Sequence, residues 1–123
     1  MMIPPYIKKA IDGYVDHGWK TGGFLTAVLS NDLFEAAAKA DAHSQIALAE
    51  ICQYIYNYTP SDCWGGEEHI EVWLELWKEK PKAAERLAAV DRDEREKYYM
   101  RLYDVFREDT YLQKEEQVLL WII

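Results

Sequence analysis

The chain has 123 residues, with 22 acidic and 14 basic side chains for a formal net charge of −8, and half of its residues are hydrophobic. That length suits one domain with its own core, and 29% charged residues is a globular balance, neither disordered nor membrane-like. The acidic excess speaks against coating of nucleic-acid backbone, which needs clustered lysine and arginine. No apolar run approaches the roughly 18 residues of a spanning helix, and the first residues lack a signal-peptide layout. A cytoplasmic protein is expected.

In chain order the pattern is helical almost throughout. Pro4-Pro5 suits a first turn, Ile3, Ile7, Ile11, Tyr14 and Val15 recur at helical spacing, and Gly18 is placed to stop that helix. Trp19 to Gly23 is a connector. Phe24 to Leu29 is a short apolar segment, and Ser30 or Asn31 can cap a new start at Asp32, ahead of the strong helix former Leu33–Ala40. Asp41 caps the next predicted helix, with Ile46, Leu48, Ile51, Cys52, Ile55 and Tyr56 as its apolar set, and Thr59-Pro60 breaks it. Glu67 and Glu68 suit a helix start, and Ile70, Trp73, Leu74 and Trp77 form the next stripe. Pro81 opens a short helix through Val90. Asp91 and Glu94 have capping-box spacing ahead of a long amphipathic helix with Tyr98, Tyr99, Leu102, Val105 and Phe106 inward. Thr110 caps a last helix ending in Val118–Ile123. No hairpin signal appears. The expected fold class is all-α, a compact bundle of six or seven short to medium helices. It forms a single domain over 1–123, with a candidate sub-boundary near 78–81 and a helical extension over 81–123.

Little in the chain points to catalysis. Cys52 and Cys63 are expected as free thiols, one of them packed as a small hydrophobe. With His69 or His43 they give no closely spaced ligand pair, so no metal and no cofactor are expected. His17, His43 and His69 are scattered, and no serine or cysteine sits in a nucleophile motif. Lys20-Thr21-Gly22-Gly23 lacks the phosphate-loop pattern and reads as a turn. The chain is expected not to be an enzyme.

Charge is unevenly placed. Residues 1–62 hold 4 basic and 7 acidic groups, whereas 63–123 hold 10 and 15. Over Asp91 to Lys97 the signs interleave, which describes a wet helix face better than a mimic of a nucleic-acid backbone. Arg92, Arg95, Arg101 and Arg107 beside Tyr98, Tyr99 and Tyr103 read first as one amphipathic helix, tyrosines inward and arginines outward. The alternative is a nucleotide site in which Arg95, Tyr99 and Arg101 supply phosphate contacts and stacking.

The run Gly22-Gly23-Phe24-Leu25-Thr26-Ala27-Val28-Leu29-Ser30-Asn31-Asp32-Leu33-Phe34-Glu35-Ala36 is distinctive. With Ala40-Asp41, Tyr56-Asn57, Pro60, Cys63-Trp64-Gly65 and Trp73, it resembles a family of short phage- and prophage-encoded accessory proteins over about residues 3–77. Members of that family generally end soon after the position matching Trp73, so the chain from Lys78 on lies outside the resemblance. What the resemblance implies is a phage accessory role in the host cytoplasm, and it carries over no site residue. With no catalytic motif in view, the expected function is binding and inhibition of a host defence protein or ribonucleoprotein complex, of the anti-CRISPR or anti-restriction kind. The alternatives are a sponge for a signalling nucleotide and a small enzyme with an unrecognised site.

Candidate partner-binding residues are Trp19 and Lys20 in the connector, Trp64 in its glycine-flanked loop, and Leu120, Trp121 and Ile122 at the chain end. Val118–Ile123 is six consecutive apolar residues, and one helix face covers only about half of such a run. The remainder has to meet another surface. A homo-oligomer or a docking tail is expected, so deleting residues 117–123 should change the oligomeric mass seen by light scattering. A folded, truncated chain of unchanged oligomeric mass would refute it.

Overall fold

The computed structural model describes residues 3–98. Among them every regular element is helical: α1 (Pro5–His17), α2 (Gly23–Leu29), α3 (Leu33–Lys39), α4 (Ala42–Tyr58), a 3-10 turn at Ser61–Cys63, α5 (Glu67–Glu79) and α6 (Pro81–Ala88). Residues 92–98 form a further helical run. The fold is a compact all-α bundle, and no helix among the described residues is long and apolar enough to cross a membrane.

Local chemistry explains most boundaries. Pro5 occupies the first position of α1, where a missing N–H costs nothing. Gly18 ends α1 in the left-handed region at φ 68°, and its N–H bonds to the Tyr14 carbonyl at 3.1 Å. A side chain at Gly18 would also run into Trp77, since a Cβ there would lie 2.5 Å from the Trp77 Cβ. Asn31 stops α2 in the left-handed conformation, while the Asp32 N–H closes onto the Ala27 carbonyl at 2.9 Å. Asp32 itself caps α3, accepting from the Glu35 N–H at 3.2 Å. The Asp41 carboxylate caps α4 through the Ser44 N–H at 2.7 Å and accepts from the Tyr6 hydroxyl at 2.6 Å.

The core lies between α1, α4 and α5. Ile3, Ile11, Tyr14 and Val15 are fully buried against Ile51, Tyr54 and Trp73, with Leu25, Leu29 and Cys63 closing one side. Trp73 and Trp77, one turn apart on α5, lie against the C-terminal turn of α1. Their indole N–H groups donate to the Tyr14 and Val15 carbonyls at 3.0 and 3.2 Å. Two aromatic side chains thus fill space and satisfy helix-end acceptors together. The Tyr14 hydroxyl donates to the Cys63 carbonyl at 2.7 Å, which pins the 3-10 turn. Burial pushes the Cys63 thiol up to about 12, so it is the inert, packed cysteine, whereas Cys52 is exposed. α6 packs on α5 and α1 through Ala84 and Ala88.

Three expectations are corrected. In α4 the inward set is Ala47, Ile51, Tyr54 and Ile55, while Ile46, Cys52 and Tyr56 point to solvent. The helix before Asp91 ends at Ala88 rather than Val90. Asp91 stands at the N-cap position of the run 92–98, in the left-handed region at φ 63°, and its carbonyl accepts from the Arg95 N–H at 3.0 Å, but among the described residues its carboxylate makes no capping bond. Tyr99, Leu102, Val105, Phe106, Thr110 and Val118–Ile123 lie outside the described residues.

The Asp41 cap gives a pH-dependent prediction. Hydrogen bonds from Tyr6 and from the Ser44 N–H hold this carboxyl below its ordinary value. A carboxyl depressed in the folded state stabilises above its unfolded pKa and loses that contribution as the pH falls through its folded value. Asp41→Ala should therefore cost about 1 kcal/mol in urea denaturation at neutral pH. The gap between variant and parent should narrow as the buffer is taken below the ordinary carboxylate range.

Candidate functional site

α1 carries Lys8, Asp12 and Asp16 one turn apart, a polar stripe on a helix whose other face is core. The stripe meets Arg95, the most deeply buried charged side chain described, at 1% exposure. Its Nη2 donates to Asp16 Oδ1 at 2.5 Å and to the Ala88 carbonyl at 2.9 Å, and its Nη1 donates to the Tyr58 carbonyl at 3.2 Å. Ala88 and Tyr58 are the last residues of α6 and α4, so one guanidinium closes two helix C-termini, where cations are favoured. Arg95 Nε lies 3.9 Å from Asp12 Oδ1 and makes no hydrogen bond. Asp12 is held from the other side by Lys8 and by the Tyr54 hydroxyl. Burial beside Asp12 and Asp16 keeps that hydroxyl far above the usual tyrosine range, hence a permanent donor. Tyr54, Tyr58 and Tyr98 pack their rings 5.0 to 5.7 Å apart, and the Tyr98 hydroxyl donates to Glu50 at 2.9 Å.

The expected outward arginine is therefore inward. Arg95 was a candidate for nucleotide contact, but its guanidinium is committed to Asp16 and to two backbone carbonyls. Tyr99 and Arg101, its companions in that expectation, lie outside the described residues.

Above this network opens a cleft of about 760 Å³ between α1 and the run 92–98, with Lys9, Asp16, His17, Trp19, Arg92 and Glu96 on its walls. Trp19 is 56% exposed at its edge, stacked on His17 at a ring separation of 4.9 Å. Lys20 follows it and is exposed. Trp64 is elsewhere. It is half-buried over the core, packed 5.7 Å from the Tyr56 ring, and lines a separate groove of about 320 Å³ with Val28, Asn31 and Cys52. Trp64 is thus chiefly a lid, and its buried indole N–H has no acceptor. Leu120, Trp121 and Ile122 lie outside the described residues.

A surface feature that sequence reading passed over is the outer side of α5. Glu67, Glu68, Glu71, Glu75 and Glu79 are all exposed and form no ion pair among the described residues. Set against Lys78 alone, they give this one helix half of the chain's net −8. Between them runs a groove of about 490 Å³ floored by Leu76 and by Val72, which is 65% exposed. The signal was present as glutamates at helical spacing, of which only Glu67 and Glu68 were read, as a helix start. Among the described residues no three His, Cys, Asp or Glu side chains come together as a metal-holding group.

These features define an all-α chain with a buried charge network, a mixed-charge cleft and an acidic, partly apolar helix face. No known protein family, curated protein or solved structure matches it.

The network is built for structure, which yields a prediction. Arg95→Ala takes from Asp16 its closest counter-charge and from the Ala88 and Tyr58 carbonyls their shared donor, and should cost about 3–5 kcal/mol in urea denaturation. Adding Asp16→Ala should cost less than the sum of the two single changes, because the second removes a charge whose closest partner the first already took away.

Proposed function

We propose that the chain is a non-enzymatic phage accessory protein that binds and inhibits a host defence complex of the anti-CRISPR or anti-restriction kind. It does so by laying α5 on a basic, nucleic-acid-binding surface of that complex. The observation that supports this reading is the α5 face, five exposed glutamates with no ion pair among the described residues, around an exposed Val72. Carboxylates four residues apart on a helix recur about every 6 Å along its axis, sparser than the duplex charge every ~1.7 Å. The face therefore complements a basic protein surface without copying a duplex. Unpaired rim charges speed and orient association, and the apolar floor supplies area to bury. The phage assignment rests on the resemblance over residues 3–77, and the non-enzymatic reading on the absence of a catalytic motif in the sequence. Phe34 at 88% exposure and its neighbour Leu33 on α3 are further apolar surface that a partner can cover.

The experiment is a pull-down from a defence-competent host, followed by assay of the captured complex. Parent protein should retain a stoichiometric nucleic-acid-binding complex and block its nuclease activity. The double change Glu71→Lys/Glu75→Lys should weaken capture by about tenfold or more, equivalent to about 1.4 kcal/mol, and restore cleavage. Its fold, checked by circular dichroism, should be unchanged because both positions are exposed. An empty eluate, or inhibition indifferent to the two charges, overturns the proposal.

A further inference from the structure

Gly13 stands inside α1, where glycine costs about 0.5–1 kcal/mol relative to alanine. What it admits is the Trp19 ring. A Cβ at residue 13 would fall 2.2 Å from a Trp19 ring carbon. The Trp19 N–H also reaches back to the Gly13 carbonyl at 3.2 Å, and His17 stacks on the indole. The ring is fixed by backbone and neighbour, yet more than half exposed at the edge of the 760 Å³ cleft. A tryptophan serving only the core is buried as Trp73 is. Trp19 is an immobilised, solvent-facing platform.

The cleft differs from the rest of the surface in charge. Its described lining has four cations (Lys8, Lys9, Arg92, Arg95) against three carboxylates, a net positive patch on a chain of −8. Lys8 and Arg95 are engaged by Asp12 and Asp16. Lys9 is exposed with no ion pair among the described residues, and Arg92 holds Asp16 only through Nε at 3.4 Å. Both are available to an anion. Arg95 and Arg92 donate to Asp16 Oδ1, whereas Oδ2 receives no hydrogen bond from the described residues. An ionised carboxylate only accepts, so Asp16 and Glu96 suit hydroxyl or amino donors on a ligand. A planar ring, an anionic group and hydroxyl donors meet in one class of molecule, and the cleft volume lies within the roughly 300–1,000 Å³ of small-ligand sites.

We propose that this cleft binds a nucleotide, with its base on Trp19, its phosphate drawn to Lys9 and Arg92, and its sugar hydroxyls donating to Asp16 and Glu96. The acidic remainder of the surface repels a long polyanion, which restricts the ligand to a mononucleotide or a short oligomer. This site differs from the Arg95, Tyr99 and Arg101 set that the sequence brought forward, and it is independent of the α5 face.

The test is isothermal titration calorimetry of the full chain with AMP, adenosine and inorganic phosphate. AMP should saturate, with adenosine and phosphate each weaker by about tenfold or more, because adenosine lacks the phosphate contacts and phosphate lacks those of base and sugar. Trp19→Ala should weaken AMP by about fivefold or more, and Trp19→Phe should retain most of the affinity, as expected of base stacking. Lys9→Ala should weaken AMP, flatten its salt dependence and leave adenosine unchanged. The Glu71→Lys/Glu75→Lys chain should bind AMP no more weakly than the parent, which separates this site from the proposed docking face. The proposal is overturned if AMP, GMP, CMP and UMP all fail to saturate at millimolar concentration, or if Trp19→Ala binds AMP as the parent does.

Discussion

The structure turns on one buried guanidinium. Arg95 lies at the meeting point of α1, α4 and α6, giving Asp16 a salt bridge and the last carbonyls of α4 and α6 their donors. A charge so deeply buried is tolerated only when paired and hydrogen-bonded, so a carboxylate has to stand beside it. The i,i+4 stripe of Lys8, Asp12 and Asp16 presents its carboxylates on a single rigid helix. The three helices are thereby locked in relative position by directional bonds, where apolar packing alone would permit several arrangements.

The aromatic side chains, 14% of the chain, divide along the same lines. Trp73 and Trp77 stand at the far side of α1, where their N–H groups close helix-end carbonyls and their rings fill the core. Tyr54, Tyr58 and Tyr98 form a cluster beside the Arg95 network, in which the Tyr54 hydroxyl donates to Asp12 and the Tyr98 hydroxyl to Glu50. Trp64 covers the core from its loop. Trp19 and Tyr56 stay at the surface, and only Trp19 is immobilised by a glycine opposite its ring.

The charge, read first as a property of the whole chain, is in fact partitioned. α5 collects half of the net negative charge on its outer side, and the cleft beside α1 has a small positive balance. In an acidic protein such a separation sets two different surfaces, one suited to basic macromolecules and one to a small anion.

The sequence by itself determined the helical class and most boundaries, because those signals act within a few residues. Proline at a first turn, Gly18 past an end, Asp41 before a start and the break at Thr59-Pro60 each work through local backbone geometry. It also held the acidic face of α5, though not the fact that its glutamates would form no ion pair among the described residues. Tertiary structure alone decided that Arg95 turns inward while Ile46, Cys52 and Tyr56 turn outward. Arg95 finds its acceptors 37 and 79 residues away, and no pattern within one helix encodes partners at that distance. The same holds for Trp19, whose role depends on a glycine on one side and an open cleft on the other. Periodicity assigns a residue to a face; what that face meets is set by packing, and by the energetic demand that every buried charge find its counterpart.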